Sequence, residues 1–129
     1  MIQGLDFIYL PTTDAARDLA LYRDALGAEI VFAIEAFGTR VARVHLGDGR
    51  PALLLAEHLE GEAPVLIFRV DDLDAAVAGL EVEERFEIPH GPVAELRTPG
   101  GQRLALYELT RPEAEERLAG RRDFEPCAS

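Results

Sequence analysis

Two stretches from the first half of the chain reappear, in the same order, in the second half. FIYLPTTDAA (7–16) resembles VLIFRVDDLDAA (65–76), apart from a short insertion, and DGRPALLLAE (48–57) resembles PGGQRLALYE (99–108). Their identity is low, but the element order, the turn residues and the alternation of apolar positions agree. An internal repeat constrains the fold more than a single motif does, because both copies must adopt the same elements. The repeat predicts two similar modules.

Each module is predicted to contain a strand, a helix and then three strands. Alternating apolar residues between turn signals predict strands at 5–11, 28–37, 39–46, 50–57, 64–70, 83–89, 91–99 and 101–109. Helical spacing predicts helices at 12–27 and 71–80, and Pro112 opens a third, short helix. The order βαβββ therefore occurs twice.

Polar residues mark the start of the first two helices. Thr12, Thr13 or Asp14 can cap the first helix, and Asp71 or Asp72 can cap the second. Apolar residues recur with helical spacing in the first helix, at Ala15, Leu19, Tyr22 and Leu26.

The chain of 129 residues suits one domain with a sizeable core. We assign 1–110 to a single domain, with its two modules at 1–60 and 64–110. Residues 111–129 are predicted to form a C-terminal helix followed by a loose tail that carries Cys127.

The polar composition excludes several kinds of chemistry. All 13 basic residues are arginine, so neither a lysine Schiff base nor a lysine-containing phosphate loop is available. Ser129 is the only serine and the last residue, which argues against a serine nucleophile.

The net charge and the hydropathy of the chain argue against two classes of binding partner, nucleic acids and membranes. A formal net charge of −11 argues against nucleic acid, because its phosphates are bound mainly by Lys and Arg. No apolar run reaches the length of a membrane span, and the start MIQGLDFIYLP lacks the features of a signal peptide. A single cysteine cannot build a disulfide framework, so we expect a cytoplasmic protein.

Three segments resemble the vicinal oxygen chelate superfamily, which includes glyoxalase I, extradiol dioxygenases and bleomycin-resistance proteins. They are LDFIYLP leading into DAARDLALYRDALG (5–27), VLIFRVDDLDAA (65–76) and TPGGQRLALYEL (98–109). The resemblance covers residues 2–109 and implies an α+β fold, in which two βαβββ modules form a curled mixed sheet. It further implies helices on the outer face, a cup on the inner face, and a homodimer.

Metal-dependent members of this superfamily place four ligands in the cup. Carried over by position, these ligands fall on Phe7, Leu54, Val65 and Ala105. None of these side chains binds a metal, so the resemblance implies a metal-free member without glyoxalase I or ring-cleaving chemistry. We expect no cofactor. A displaced metal site remains an alternative, with candidate ligands His45, His58, His90, Glu57, Glu95 and Glu108; the histidines at 58 and 90 are expected to be solvated loop residues.

Strand parity predicts which residues face the cup, because successive side chains of a strand point to opposite faces. Leu104 and Leu106 are expected under a helix. The predicted ligand-binding set is Phe7, Tyr9, Arg43, His45, Leu54, Val65, Ile67, Arg69, Glu95, Arg103, Ala105 and Tyr107. It combines an apolar floor with a few charged groups, as small-molecule sites do, and its arginines suit an anionic group. Alternatively, these arginines pair with glutamates on a wet rim.

Three functions follow from this composition of the cup. The first is a metal-free protein that binds a small, possibly anionic, organic molecule, in the manner of bleomycin-resistance proteins. The second is a lyase, isomerase or dioxygenase-like enzyme with a displaced metal or a metal-independent mechanism. His45 with Glu95, or Tyr107 with Arg103, would then be an acid–base pair. The third is an interaction module whose own side chains fill the cup. Whether the cup forms within one chain or across a swapped dimer stays open.

Overall fold

The computed structural model describes residues 1–36 and 38–127. The predicted turn at 37–39 begins at Phe37, which lies outside the described residues, as do Ala128 and Ser129. The described part of the chain contains the predicted elements in the predicted order. Their bounds are β1 (Ile2–Pro11), α1 (Ala15–Asp24), β2 (Glu29–Ala36), β3 (Thr39–His45), β4 (Ala52–Ala56), β5 (Val65–Val70), α2 (Leu73–Val77), β6 (Glu84–Ile88), β7 (Gly91–Arg97), β8 (Arg103–Glu108) and α3 (Ala114–Leu118).

The strands form one curled mixed sheet in the order β2-β3-β4-β1-β5-β8-β7-β6. Strand β1 is parallel to β4, and β5 is parallel to β8, so each half contributes the same four-strand unit. The antiparallel pairing of β1 with β5 joins the halves, with Phe7 opposite Ile67. The predicted α+β fold of two βαβββ modules is confirmed, and its cup forms within one chain.

The two modules also share the hydrogen bonds that cap the N-termini of α1 and α2. Asp14 and Asp72 each accept a bond from the backbone N–H three residues further along, so the later candidate caps each helix. Glu57 and Glu108 accept from the N–H of the first residue of α1 and α2, at 2.8 and 2.9 Å. These carboxylates satisfy N–H groups that the helix itself leaves unpaired, and they complement the positive end of its dipole. Glu57 and Glu108 are therefore helix caps.

Helices α1 and α2 cover the convex face of the sheet, as expected. Leu19 of α1 packs against Val44 and Leu55, and α2 packs against Leu106 with Leu104 partly buried beside it. The predicted strand parity holds at these positions. Helix α1 ends at Asp24, so Leu26 is exposed although helical spacing had placed it in the helix.

The C-terminal segment lies against the sheet and is not loose through residue 127. Leu118 of α3 joins the core of the concave face, so this helix lies on the opposite side from α1 and α2. Beyond it, residues 120–123 exchange backbone hydrogen bonds with Val31 and Ala33 of β2, which covers that edge of the sheet. Phe124 is buried, and the N–H of Cys127 donates to the carbonyl of Ala16. The prediction of a loose tail is wrong because it ignored this edge, whose unpaired backbone groups need partners.

None of the described helices has the length and apolar character that crossing a bilayer requires.

Candidate functional site

The middle of the concave face is filled by its own side chains. Tyr9, Leu54, Val65, Ile67 and Ala105 are all buried there, together with Leu118 of α3. The four positions that would carry metal ligands in metal-dependent members of the superfamily are each at most 4 % exposed. Their apolar side chains are therefore core residues of this protein.

A cavity of about 490 Å³ remains at the end of the sheet where β3, β5 and β8 finish. We call it the end cavity. Its lining includes five of the twelve predicted ligand-binding residues, namely Phe7, Arg43, His45, Arg69 and Tyr107. It also includes His90, which was a candidate only for a displaced metal site, and residues that sequence reasoning assigned to no site, among them Leu5, Asp6, Asp48, Arg50, Leu109 and Glu115.

Positive and negative groups balance in this lining. Three arginines face two aspartates and one glutamate, whereas the whole chain has a formal charge of −11. The cavity is thus much less negative than the rest of the protein. What it can bind depends on which of its charged groups are already paired with one another.

Asp6 is held by Tyr107. The Tyr107 hydroxyl donates to Asp6 Oδ2 at 2.5 Å, between residues 101 positions apart in the chain. Burial, and then the hydrogen bond to Asp6, raises the pKa of Tyr107, so the phenol stays protonated and keeps donating at neutral pH.

Arg69 is left with an unused donor. It forms an ion pair with Asp6, but its Nε lies 3.7 Å from Asp6 Oδ2, beyond hydrogen-bond range, and this buried atom has no hydrogen-bond partner among the described residues. The side chain of Arg50, in the same lining, forms no ion pair with a described residue. Two guanidinium groups with unused hydrogen-bonding capacity therefore face one cavity.

His90, Glu115 and Arg43 form a second network. His90 Nε2 lies 2.9 Å from Glu115 Oε1, and Arg43 Nη1 donates to both Glu115 oxygens at 2.9 and 2.7 Å. Partial burial by itself would raise the pKa of Glu115, but the bonds from Arg43 and His90 outweigh it and lower the pKa. Burial lowers the pKa of His90, although Glu115 opposes that shift, so His90 is neutral at neutral pH.

The backbone around Gly91 holds His90 in this position. The N–H groups of Thr110 and Arg111 both donate to the His90 carbonyl. A Cβ on Gly91 would lie 1.9 Å from the Glu108 carbonyl oxygen, and Gly91 has a φ of +156°. This close approach buries His90 to 4 % exposure, so the expectation of a solvated loop histidine is wrong. A glycine next to a histidine at the start of a strand was the available signal.

The opposite end of the concave face carries Glu95 and Arg103, two further members of the predicted set. Arg103 Nε lies 3.5 Å from Glu95 Oε1, and its Nη1 donates to the carbonyls of Glu60 and Ala63. The lining of this end, which we call the acidic groove, holds six glutamates against two arginines. Arg103 holds the connector between β4 and β5 through Nη1, which bonds two carbonyls, and its charge is paired with Glu95.

The other hypotheses about acid–base pairs and metal ligands find no support. His45 lines the end cavity while Glu95 lines the acidic groove, and Tyr107 bonds to Asp6 and not to Arg103. Over residues 1–36 and 38–127, no three His, Cys, Asp or Glu side chains are grouped so that they could hold a metal ion. The end cavity is therefore the candidate site, because its lining combines three arginines with two histidines.

The fold of this chain is similar to that of several solved structures. A methylmalonyl-CoA epimerase from Mycobacterium tuberculosis superposes with a TM-score of 0.68 at 21 % identity, over 88 % of this chain and 92 % of that one. An epimerase variant from Streptomyces coelicolor, in complex with 2-nitronate-propionyl-CoA, gives 0.67 at 21 % identity, over 85 % and 96 %. A hypothetical protein from Bacillus halodurans gives 0.66 at 18 % identity, over 81 % and 93 %.

The chain thus shares the fold of these solved structures, and its curled sheet of two modules is the fold that the sequence resemblance implied. Identity of 21 % or less demonstrates a shared architecture, which hosts many activities, and not a shared activity. No protein-family model matches the sequence, and no curated protein does.

Proposed function

We propose that this protein binds a small organic anion in the end cavity without a bound metal. The observation that carries this proposal is Arg69, whose buried Nε has no hydrogen-bond partner among the described residues. Asp6, its nearest carboxylate, already accepts from Tyr107. A carboxylate is the group that best satisfies a guanidinium, because it accepts two parallel hydrogen bonds.

The shape of the cavity supports a small ligand with an apolar body. Its volume of about 490 Å³ is within the usual range for small-molecule sites. Leu5, Phe7, Ala52 and Leu109 supply apolar wall beside the charged groups. The net negative charge of the chain gives no long-range attraction to an anion, so the affinity must come from Arg69 and Arg50 at short range.

The proposal is tested by isothermal titration with succinate in low-chloride buffer. Arg69→Gln is expected to weaken binding by about tenfold or more, since a hydrogen bond to a charged group contributes about 1.5–3 kcal/mol. The matched control is Arg97→Gln, which removes the same charge from an exposed arginine of the acidic groove paired with Glu83. Equal loss in both variants would contradict the site, and no binding of succinate, methylmalonate or methylmalonyl-CoA would contradict the function.

A second candidate is metal-independent isomerisation by proton transfer. It is favoured by His90, a neutral imidazole held by Glu115 in the wall of a cavity that also contains Arg69. A neutral imidazole can take a proton from a carbon acid, and a guanidinium can stabilise the enolate that results. Return of a proton by the same imidazole to the same face exchanges the carbon-bound proton with solvent, and delivery of a proton to the opposite face of the enolate completes the isomerisation.

Methylmalonyl-CoA is the substrate to try, because solved neighbours of this fold are epimerases of that ester. In D₂O with a chelator present, NMR is expected to show exchange of the C2 proton faster than in buffer alone, and His90→Gln is expected to slow it. Exchange at the background rate would leave binding without this catalysis.

We also propose a homodimer, as the superfamily resemblance implies. Residues 120–123 cover the β2 edge of the sheet, whereas no described residue pairs with the outer side of β6. An open strand edge is a natural place for a second copy to pair. Sedimentation equilibrium is expected to give twice the mass of the chain, and a monomer at micromolar concentration would contradict the proposal. A cytoplasmic location stays a prediction from the single cysteine.

A further inference from the structure

Two buried atoms without partners lie in the same cavity, and they are of opposite kinds. Among the described residues, three buried side-chain polar atoms lack a hydrogen-bond partner, and two of them, Nε of Arg69 and Nδ1 of His90, belong to residues that line the end cavity. Arg69 Nε is a donor. The remaining question is which role His90 Nδ1 has, because a neutral imidazole has one donor and one acceptor nitrogen.

The neighbours of His90 answer this question. Its Nε2 lies 2.9 Å from a Glu115 oxygen, and an ionised carboxylate only accepts hydrogen bonds. Arg43 donates to both oxygens of the same carboxylate and so keeps it ionised. Nε2 therefore carries the hydrogen, and Nδ1 is left as the acceptor, because the partner of one ring nitrogen fixes the role of the other.

The placement of the ring ties this acceptor to the anion site. The Phe7 ring contacts the rings of both His90 and Tyr107, with centroid distances of 4.9 and 5.3 Å. Tyr107 in turn holds Asp6, the carboxylate nearest to Arg69. Arg69 and His90 line the same cavity as Phe7, so a molecule with a short carbon chain beside Phe7 has both residues as neighbours.

We infer that the ligand is a hydroxy acid, whose carboxylate binds Arg69 and whose hydroxyl donates to His90 Nδ1. This inference rests on the proposed function, because it assumes that Arg69 binds an anion. A buried acceptor without a donor costs free energy, and the hydroxyl recovers that cost, whereas a simple carboxylic acid leaves it in place. Nδ1 is covered in the ligand-free protein, so side chains of the cavity wall must adjust, as they commonly do when a site fills.

The test compares probes that differ by one hydroxyl. Isothermal titration of the wild-type chain with succinate and with both enantiomers of malate is expected to show one enantiomer binding about tenfold more tightly, the equivalent of one net hydrogen bond. His90→Phe keeps a planar ring but no acceptor, and it is expected to abolish the preference, which is measured as the ratio of malate to succinate affinity within the same variant. His90→Gln keeps an acceptor and a donor to Glu115, and it is expected to retain part of the preference.

The matched control is His58→Phe, the same substitution at an exposed histidine in the acidic groove, which is expected to leave the preference unchanged. Circular dichroism shows whether each variant folds. If succinate binds and neither malate binds better, the hydroxy-acid inference is overturned while the anion site stands; a buried water on Nδ1 would produce this result. A preference that persists in His90→Phe also overturns it. If no probe binds in any chain, the proposed function itself fails.

Discussion

The two ends of the concave face contain the same types of charged residue but use them differently. In the acidic groove, Arg103 is in contact with Glu95 and with two backbone carbonyls. In the end cavity, Tyr107 binds the carboxylate of Asp6, and Arg69 is left with a donor that has no partner among the described residues.

This difference shows that an arginine on a sheet face is not in itself an anion site. An arginine whose donors are used by carbonyls stabilises the fold, and a second anion would have to displace those bonds. An arginine beside a carboxylate that a phenol already occupies keeps hydrogen-bonding capacity for a ligand. Whether the donors are used separates the two ends more clearly than the number of arginines does.

The largest expected effect is the loss of the backbone contact that builds the end cavity. Gly91→Ala is expected to lower the free energy of unfolding by about 3 kcal/mol or more, because its Cβ would overlap the Glu108 carbonyl and the chain must shift. Urea denaturation measures this loss. Gly100→Ala is the control, since a Cβ there meets nothing within 4 Å, and its effect should stay within about 0.5 kcal/mol. Comparable losses in the two variants would contradict the close approach.

The next effect concerns the core between the two ends. Leu118→Ala is expected to cost about 2–3 kcal/mol, because it leaves a cavity where α3 closes the concave face. Leu21→Ala, on the exposed face of α1, is the matched control and is expected to cost less than about 1 kcal/mol. Equal costs would mean that α3 does not close the concave face in solution.

Replacing the phenol of Tyr107, which distinguishes the end cavity from the acidic groove, is expected to have a smaller effect on stability and a measurable effect on succinate binding. Tyr107→Phe removes the donor to Asp6 and is expected to cost about 1–2 kcal/mol. Asp6 then loses its bond from the phenol and is expected to draw closer to Arg69, with which it already forms an ion pair at 3.7 Å, so succinate affinity should fall as well. Tyr22→Phe, at a partly buried tyrosine of α1, is the control for both measurements. Unchanged or tighter succinate binding in Tyr107→Phe would contradict the proposed competition for Asp6.

The smallest expected effect is a loss of stability at low pH, to which a histidine in the end cavity and a histidine in the acidic groove both contribute. The pKa values of His90 and His58 are both lowered by burial from the ordinary 6.5. Below about pH 6.5 the unfolded chain binds protons that the folded chain does not, so stability falls as the pH drops. Thermal melts between pH 7.5 and 5.5 should show His90→Gln and His58→Gln each reducing this dependence. An unchanged slope in His90→Gln would contradict its neutral, buried state.

The pairing of strands was predictable because it follows from short-range patterns. Alternation correctly assigned Phe7 and Tyr9 to the concave face, and Leu104 and Leu106 to the convex face. The four apolar residues at the metal-ligand positions were located by the superfamily resemblance, and their burial on the concave face agrees with the alternation. Apolar residues alternate with a period of two in a half-buried sheet, because each strand must bury the same face along its length.

The end cavity was predictable only in part. Arg43, His45 and Arg69 were placed on the correct face, but no pattern in the sequence distinguished them from Arg103, whose Nη1 is bonded to two backbone carbonyls. Asp6 and Glu115 were missed altogether. Their roles depend on partners 101 and 25 residues away, and no local pattern encodes such distances.

The sequence by itself determined the repeat, the parity of the strands, the absence of lysine and the apolar replacements in the cup. These are properties of single residues and of their nearest neighbours along the chain. Only the tertiary structure decided that α3 and the tail close the concave face. It also decided that the Tyr107 hydroxyl donates to Asp6, and that Arg69 Nε and His90 Nδ1 lack hydrogen-bond partners among the described residues. The physical reason is that a hydrogen bond goes to whichever partner the fold brings within about 3 Å, and that partner is set by the packing of distant segments.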